Sequence, residues 1–228
     1  VVKKPLGMLI FVCSPNVSPL PNAMPEANEV AALCSFTTRI QVGGTAEDLR
    51  TMLAQLPCRF LFSGHADAAA PNPGPLNKTL GFTSPSGALE IVRPEDVRTM
   101  LALAAPVHGG CLELVFLNGC KSESLGRAVH DSGVPIVVCW QTSVCDPAAR
   151  VFAKAFFKAL EDGHSATNAF EEAKMAVMCV TRPGKLVGLP AGMTTSVPMY
   201  ELRRPGTPTA MTSVSPMPIA AGVPMLLV

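Results

Sequence analysis

Two apolar runs in this chain end on a glycine followed by a residue with proton or thiol chemistry. Nearly the same amphipathic octet introduces each. EDLRTMLA starts at Glu47 and leads to CRFLFSGH; EDVRTMLA starts at Glu95 and leads to LELVFLNGC. Continuous apolar strands of this kind suit a parallel sheet covered by helices on both faces. Two such helix–strand units side by side bring His65 and Cys120 out at one C-terminal edge. That edge is where open α/β sheets place their ligands.

The rest of the chain extends the alternation. GMLIFVCSP, from Gly7, reads as a first strand stopped by Pro15, followed by a Pro-rich loop. EANEVAAL reads as a helix and SFTTRIQVGG as a strand. Thr45 to Leu56 reads as a helix capped by Thr45 with Asp48 three residues on. Leu49, Met52, Leu53 and Leu56 share one face of it. A loop rich in Pro, Gly, Asn and Ala runs from Asp67 to about Lys78, and GFTSPSGALEIV reads as a hairpin turning at Pro85 to Gly87. A helix starts near Arg93 with Pro94 in its first turn. SLGRAVHDSG is a helix ending at Gly133, Val134 to Trp140 is a strand, and two strong helices follow. TSVPMYEL reads as a last strand, at a sheet edge because of Pro198. The expected organisation is one domain over 1–204 and a Pro/Met-rich tail over 205–228. That tail is expected to be loose, although its closing PMLLV has the character of a docking segment.

Composition narrows the function. Hydrophobic residues make up 48% and charged residues 15% of 228, enough apolar surface for a large core. Eighteen basic residues face seventeen acidic ones, and no basic stripe marks a nucleic-acid surface. No apolar run reaches the ~18 residues that span a bilayer. A first residue other than Met is expected of a piece cut from something longer. The eight cysteines contain no CxxC pair. A disulfide framework suits smaller secreted chains and zinc wants paired spacing, so reduced thiols in a cytoplasmic setting are expected.

A cysteine nucleophile needs a base to hold it as thiolate and donors for the oxyanion. His65 and Cys120 stand 55 residues apart, each after a glycine. Gly64 and Gly119 let backbone approach a substrate closely, with the N–H groups of Gly64 and Cys120 as oxyanion donors. Singly, such a histidine reads as structural and such a cysteine as a buried thiol; their matched placement is what points to chemistry. Asp146 opens a helix, where a carboxylate caps and favours the dipole, or it faces the substrate cleft. Asp67 and Trp140 are further cleft candidates, Trp140 alternatively covering the sheet end. A carboxylate in the cleft would favour a basic residue before the cut.

The segments LIFVCSPNVSPLP, FLFSGHA, LELVFLNGCKSESLGRAV and GVPIVVCWQTSVCDPAARVFAKAFFKALEDGHSATNAFEEAK, closed by VPMY, carry a resemblance. From about Gly7 to Leu202 the chain resembles the CHAT family, caspase-like peptidase domains often fused to tetratricopeptide repeats. The resemblance implies a three-layer α/β/α sandwich with a mainly parallel sheet, and a dyad of His65 and Cys120. It implies a polypeptide substrate, no metal or organic cofactor, and possible partnership with tetratricopeptide-like domains. Caspase-type sequences place their His roughly 50 residues upstream of the Cys, as here. Where the family often has Ala before the Cys and Glu after it, this chain has Gly119 and Lys121. Gly119 is expected to be sterically harmless and Lys121 to favour the thiolate of Cys120. After His65 the family more typically has glycine; this chain has ADAAAPNPG.

Three functions compete at this stage. One is a cysteine endopeptidase regulated by partner domains. The second is an interaction module that keeps the fold without the chemistry. The third, a nucleotide-binding α/β protein, lacks GxxxxGK[ST], since PGKLVG near Gly184 has neither the first glycine nor the Ser/Thr.

Overall fold

The computed structural model describes residues 6–69, 76–188, 190 and 192–228. The centre of the expected Asp67–Lys78 loop, residues 70–75, lies outside the described residues. Six strands build the central sheet: β1 Met8–Val12, β2 Thr38–Val42, β3 Arg59–Ser63, β4 Leu114–Asn118, β5 Ile136–Trp140 and β6 Pro224–Leu227. Their order across the sheet is β6-β5-β4-β3-β1-β2. The first five are parallel, and β6 runs antiparallel to β5. The helices are α1 Ala23–Leu33, α2 Ala46–Leu53, α3 Pro94–Leu103, α4 Glu123–Asp131, α5 Asp146–Glu161 and α6 Ala166–Met178.

Side chains alternate across each strand, and in β1, β3, β4 and β5 both sets are mostly apolar. Leu9, Phe11, Phe60, Phe62, Val115 and Leu117 pack with Leu49, Val97, Leu101 and Val129 of α2, α3 and α4. Met8, Ile10, Leu61, Phe116, Val138 and Trp140 pack with Val30, Phe152, Phe156 and Phe157 of α1 and α5. The result is the expected α/β/α sandwich. Phe116 meets Phe152 and Phe156 edge to face and stacks on Phe157, at centroid distances of 6.0, 5.8 and 6.1 Å. Such pairs are each worth about 1 kcal/mol beyond the area they bury.

Local signals are mostly honoured. Thr45 and Asp48 form the reciprocal cap, with Asp48 Oδ2 accepting from Thr45 N at 2.7 Å and Thr45 Oγ1 from Asp48 N at 3.3 Å. The helix stops at Leu53, however, and Leu56 takes φ 57 outside it. The hairpin pairs Gly81–Thr83 with Leu89–Ile91.

Two expectations are refined. TSVPMYEL does form strand at a sheet edge, but it splits into two short strands, lies outside the central sheet and is not the last strand. Thr195–Pro198 pairs with a strand at Thr181–Leu186, and Tyr200–Glu201 pairs with Ile219–Ala220. Nor is the segment after 204 loose, because Pro224–Leu227 closes the sheet beside β5. The open edge of β5 offers unpaired backbone groups, and this apolar segment satisfies them. No helix among the described residues is long and apolar enough to cross a membrane.

Candidate active site

Strand register sets the site. Ser63 of β3 lies opposite Asn118 of β4. Gly64 and Gly119 come next, then His65 and Cys120, so both side chains leave adjacent parallel strands at the same end. The two glycines exist because the strand ends touch backbone to backbone. A Cβ on Gly119 would lie 2.3 Å from the Gly64 carbonyl oxygen and 2.7 Å from Ala66 Cβ. A Cβ on Gly64 would lie 2.8 Å from the Phe62 ring and 3.0 Å from the Cys13 carbonyl oxygen. Gly119 is therefore sterically demanded, not merely tolerated.

The backbone N–H groups at the two strand ends differ in whether they are already engaged. Gly64 N–H is aimed at Asn118 O at 3.4 Å, and Gly119 N–H donates to Leu117 O at 3.0 Å. The N–H of Cys120 has no acceptor among the described residues.

His65 and Cys120 are both half-buried, and each is held by a different neighbour. His65 Nε2 lies 2.8 Å from the carbonyl oxygen of Ser18 in the Pro-rich loop. A carbonyl only accepts, so Nε2 carries the proton. Cys120 Sγ accepts from Val144 N–H at 3.3 Å, in the loop after β5. No hydrogen bond joins His65 to Cys120 among the described residues. Burial pushes the Cys120 thiol above its ordinary range, and the negative charge of Asp67 adds to that. The Val144 N–H and the charge of Lys121 act the other way and are outweighed. Lys121 thus has the expected sign of effect but does not make Cys120 a thiolate in this conformation. Its side chain is exposed and its backbone takes φ 52.

His65 and Cys120 line one cavity of about 70 Å³, together with Leu20, Glu26, Asn118 and Asp146. Of the cleft candidates, Asp146 is on its wall. Asp146 is the first residue of α5, but it caps nothing there. Its Oδ2 accepts from Asn22 Nδ2 at 2.7 Å and Asn22 N at 3.3 Å, tying α5 to the start of α1. Asp67 stands outside the lining. Trp140 is fully buried between the sheet and Phe152, so it covers the sheet and does not line the cleft.

Sequence reasoning missed Glu26 and Asn118. Asn118 is buried and takes part in a polar chain: Trp140 Nε1 donates to its Oδ1 at 2.8 Å, and its Nδ2 donates to Glu26 Oε2 at 2.7 Å. Glu26 is only 3% exposed, and its Oε1 has no partner among the described residues. Burial pushes its carboxyl up to about 7, against the Asn118 bond that favours ionisation. One signal was available: Glu26 falls in phase with Ala23, Ala27 and Val30, the buried stripe of α1. All eight cysteines are free, and no group of three His, Cys, Asp or Glu among the described residues could hold a metal ion.

A mainly parallel sheet between two helical layers, with His and Cys at neighbouring strand ends, defines the caspase-like α/β fold. The CHAT domain model matches residues 10–193, and the chain belongs to that family. No curated protein matches the sequence. Among solved structures, a secreted C11 cysteine protease from Bacteroides thetaiotaomicron, in complex with an irreversible peptide inhibitor, superposes with a TM-score of 0.53 at 11% identity. The match covers 76% of this chain and 59% of the protease, so this chain spans well under two thirds of that protein's length. At that identity the likeness speaks for the fold alone. Pyridoxal kinase from Staphylococcus aureus also aligns, over 98% of this chain and 99% of the kinase, at 10% identity and a TM-score of 0.38. That agreement is too shallow to carry an argument.

Proposed function

We propose that this chain is the catalytic domain of a caspase-like cysteine endopeptidase acting on a polypeptide. The observation that carries the reading is the convergence of His65 and Cys120 on one cavity from register-matched strand ends. In this reading His65 takes the Cys120 proton, and the thiolate attacks the scissile carbonyl carbon. His65 returns the proton to the leaving amine as the C–N bond breaks, leaving a thioester. Water, deprotonated by His65, then hydrolyses the thioester and regenerates the thiol. The N–H of Cys120 is the available oxyanion donor. Membership of a family associated with peptidase activity supports the reading, as does the fold it shares with a C11 protease.

A specific observation favours a second reading, a silent interaction module. His65 is bonded to Ser18 rather than to Cys120, and the Cys120 thiol is raised, not lowered. Labelling with a library of peptidyl acyloxymethyl ketones separates the two. A working dyad gives labelling that Cys120→Ala and His65→Ala both abolish. Absence of labelling by every peptide, with the fold intact, rejects the peptidase in favour of the module.

A further inference from the structure

Away from the dyad, α5 carries two adjacent rows of opposite character. Pro147, Val151 and Ala155 repeat every four residues, and so do Arg150, Lys154 and Lys158. Residues four apart share one face of a helix, so each set runs along it as a stripe. The cationic stripe borders α1, where Arg150 meets Glu29 at 2.6 and 3.1 Å. The apolar stripe lines a hollow together with Ala176 of α6, Val180 and Tyr200. Alanines at 155 and 176 leave open what larger side chains would fill. The hollow measures about 660 Å³, against about 70 Å³ for the cavity beside His65 and Cys120. Small-molecule sites are typically hollows of ~300–1,000 Å³ with mostly apolar walls and a few placed polar groups. The charge on this wall is unbalanced, since three cations face one carboxylate. Arg150 and Glu29 satisfy each other. Lys154 reaches Glu29 only at 3.7 Å, and Arg150 already holds that carboxylate. Lys158 pairs with Asp162, which stands outside the hollow, and both side chains are about half exposed. A surface pair of that kind exchanges readily for another anion.

We propose that this groove binds a single-chain amphipathic anion, a medium-chain carboxylate, with its aliphatic chain along Val151, Ala155, Ala176 and Val180 and its carboxylate on Lys154 and Lys158. Charge complementarity sets the head. The two lysines stand one helical turn apart, about 6 Å between Cβ atoms, so both ammonium groups reach one carboxylate. Their stems lie along apolar surface while their charges stay at the water, which leaves the floor of the groove to the chain. The shape sets the body. From Pro147 to Lys158 the groove follows about 16 Å of helix, an elongated path with aliphatic walls. A small polar anion would leave those walls wet, a neutral chain would leave the lysines unanswered, and a cationic amphiphile would be repelled. The site is separate from the dyad: Asn22 and Pro147 line the groove, whereas Asp146 between them lines the other cavity. The proposal does not rest on the peptidase reading.

Calorimetric titration of the full chain with dodecanoate, kept below its micellar concentration, tests this. Expected is a single site per chain, with dodecyltrimethylammonium about tenfold weaker or more and butanoate about a hundredfold weaker or more, because the short acid buries little chain. Ala176→Leu, which puts a side chain into the trough, should weaken dodecanoate about tenfold. Neutralising both lysines, as Lys154→Gln with Lys158→Gln, should weaken it about fivefold. These three positions reach solvent, so the variants are expected to keep the fold, checked by circular dichroism. Ala155→Leu fills the same trough and serves where Ala176→Leu does not fold. Cys120→Ala should bind dodecanoate as the wild type does. Equal binding of the two amphiphiles, or dodecanoate binding that survives both the filling and the neutralised variants, overturns the site in favour of adsorption to other apolar surface. No dodecanoate binding by the folded chain overturns it too, and leaves the groove to a macromolecular partner. A dimer in sedimentation velocity that Ala176→Leu dissolves and dodecanoate does not would assign the groove to a second copy of the chain instead.

Discussion

The carbonyl oxygen of Ser18 lies 2.8 Å from Nε2 of His65. A histidine that donates from Nε2 to a backbone carbonyl cannot accept the Cys120 proton at that same nitrogen. The Pro15–Pro21 segment therefore acts as a strap across the site, and Leu20 closes part of the cavity wall. Leu20 N–H is tied to Ser14 Oγ at 2.8 Å. Removing that tie in Ser14→Ala is expected to raise the rate of Cys120 labelling by a peptidyl ketone about three- to tenfold. The accompanying loss of stability should be about 1 kcal/mol. An unchanged labelling rate in a folded variant means that the strap does not restrain His65.

The raised Cys120 thiol makes a statement about simple alkylation. Without substrate, Cys120 is half-buried and protonated, whereas Cys179 is exposed. Iodoacetamide at pH 7.5 is expected to modify Cys179 several-fold faster than Cys120, read by mass spectrometry of digested protein. Lys121→Ala should slow Cys120 further, by less than tenfold, since an exposed charge acts weakly. A Cys120 that reacts first would show that the thiol is already activated in the resting chain.

Gly119 and Gly64 should not tolerate alanine. At Gly119 the new methyl would meet the Gly64 carbonyl at 2.3 Å, a backbone atom that moves only with its strand. Gly119→Ala is expected to lose about 3 kcal/mol in urea unfolding, in the upper range for overpacking. Gly163→Ala is the useful comparison, because its φ of 90° is strained for alanine but no atom lies within 4 Å of the new methyl. It should lose only about 1 kcal/mol. Equal losses would show that conformation, not the strand contact, sets the requirement for glycine.

The parts of the fold that could be read from sequence are those written locally. RFLFS and LVFLN are buried on both faces, so each announces a central parallel strand without help from its neighbours. The positions of His65 and Cys120 follow from those strands and from glycines beside them. What the glycines do was not legible, because it depends on which backbone lies across from them. β6 was half legible: PMLLV had the character of a docking segment, but the surrounding composition resembles a linker, and only pairing with β5 across the molecule gives Pro224–Leu227 strand structure. Glu26 was hidden because a glutamate on a helix reads as solvated; its burial comes from Asn118 and the sheet end above it. The Ser18 contact depends on the path of a proline-rich loop, which no periodicity encodes.

The last eight residues should matter to the site and to the sheet. Val223 exchanges bonds with the loop after β5: Gln141 N donates to its carbonyl at 2.9 Å, and its N–H reaches Thr142 Oγ1 at 3.0 Å. Thr142 O in turn accepts from Lys121 N at 3.0 Å, and the same loop carries the Val144 N–H bonded to Cys120. Ending the chain at Ala220 is expected to lower stability by about 3 kcal/mol or more and to expose the β5 edge to self-association. Cys120 should then alkylate faster while buried Cys13 does not, measured on the fraction that stays monomeric. Unaltered Cys120 reactivity in that fraction would separate the tail from the site.

Glu26 gives stability a pH dependence whose sign can be worked out. Its folded carboxyl is pushed up to about 7 by burial, above the ordinary 4.5. Below about 4.5 it is protonated in both folded and unfolded chains and imposes no penalty. Between about 4.5 and 7 the folded state holds a proton that the unfolded state has released, so stability falls as pH rises. Above about 7 the loss is complete, on the order of 3 kcal/mol. Asp146 opposes ionisation of Glu26, and Asn118, Ser63 and Arg150 favour it. Glu26→Gln keeps the size and the capacity to bond Asn118 but removes the titration. Urea unfolding at pH 5 and pH 8 should show wild type losing more stability than Glu26→Gln across that interval. Parallel pH profiles for the two proteins would mean that Glu26 is already ionised and satisfied in the free chain.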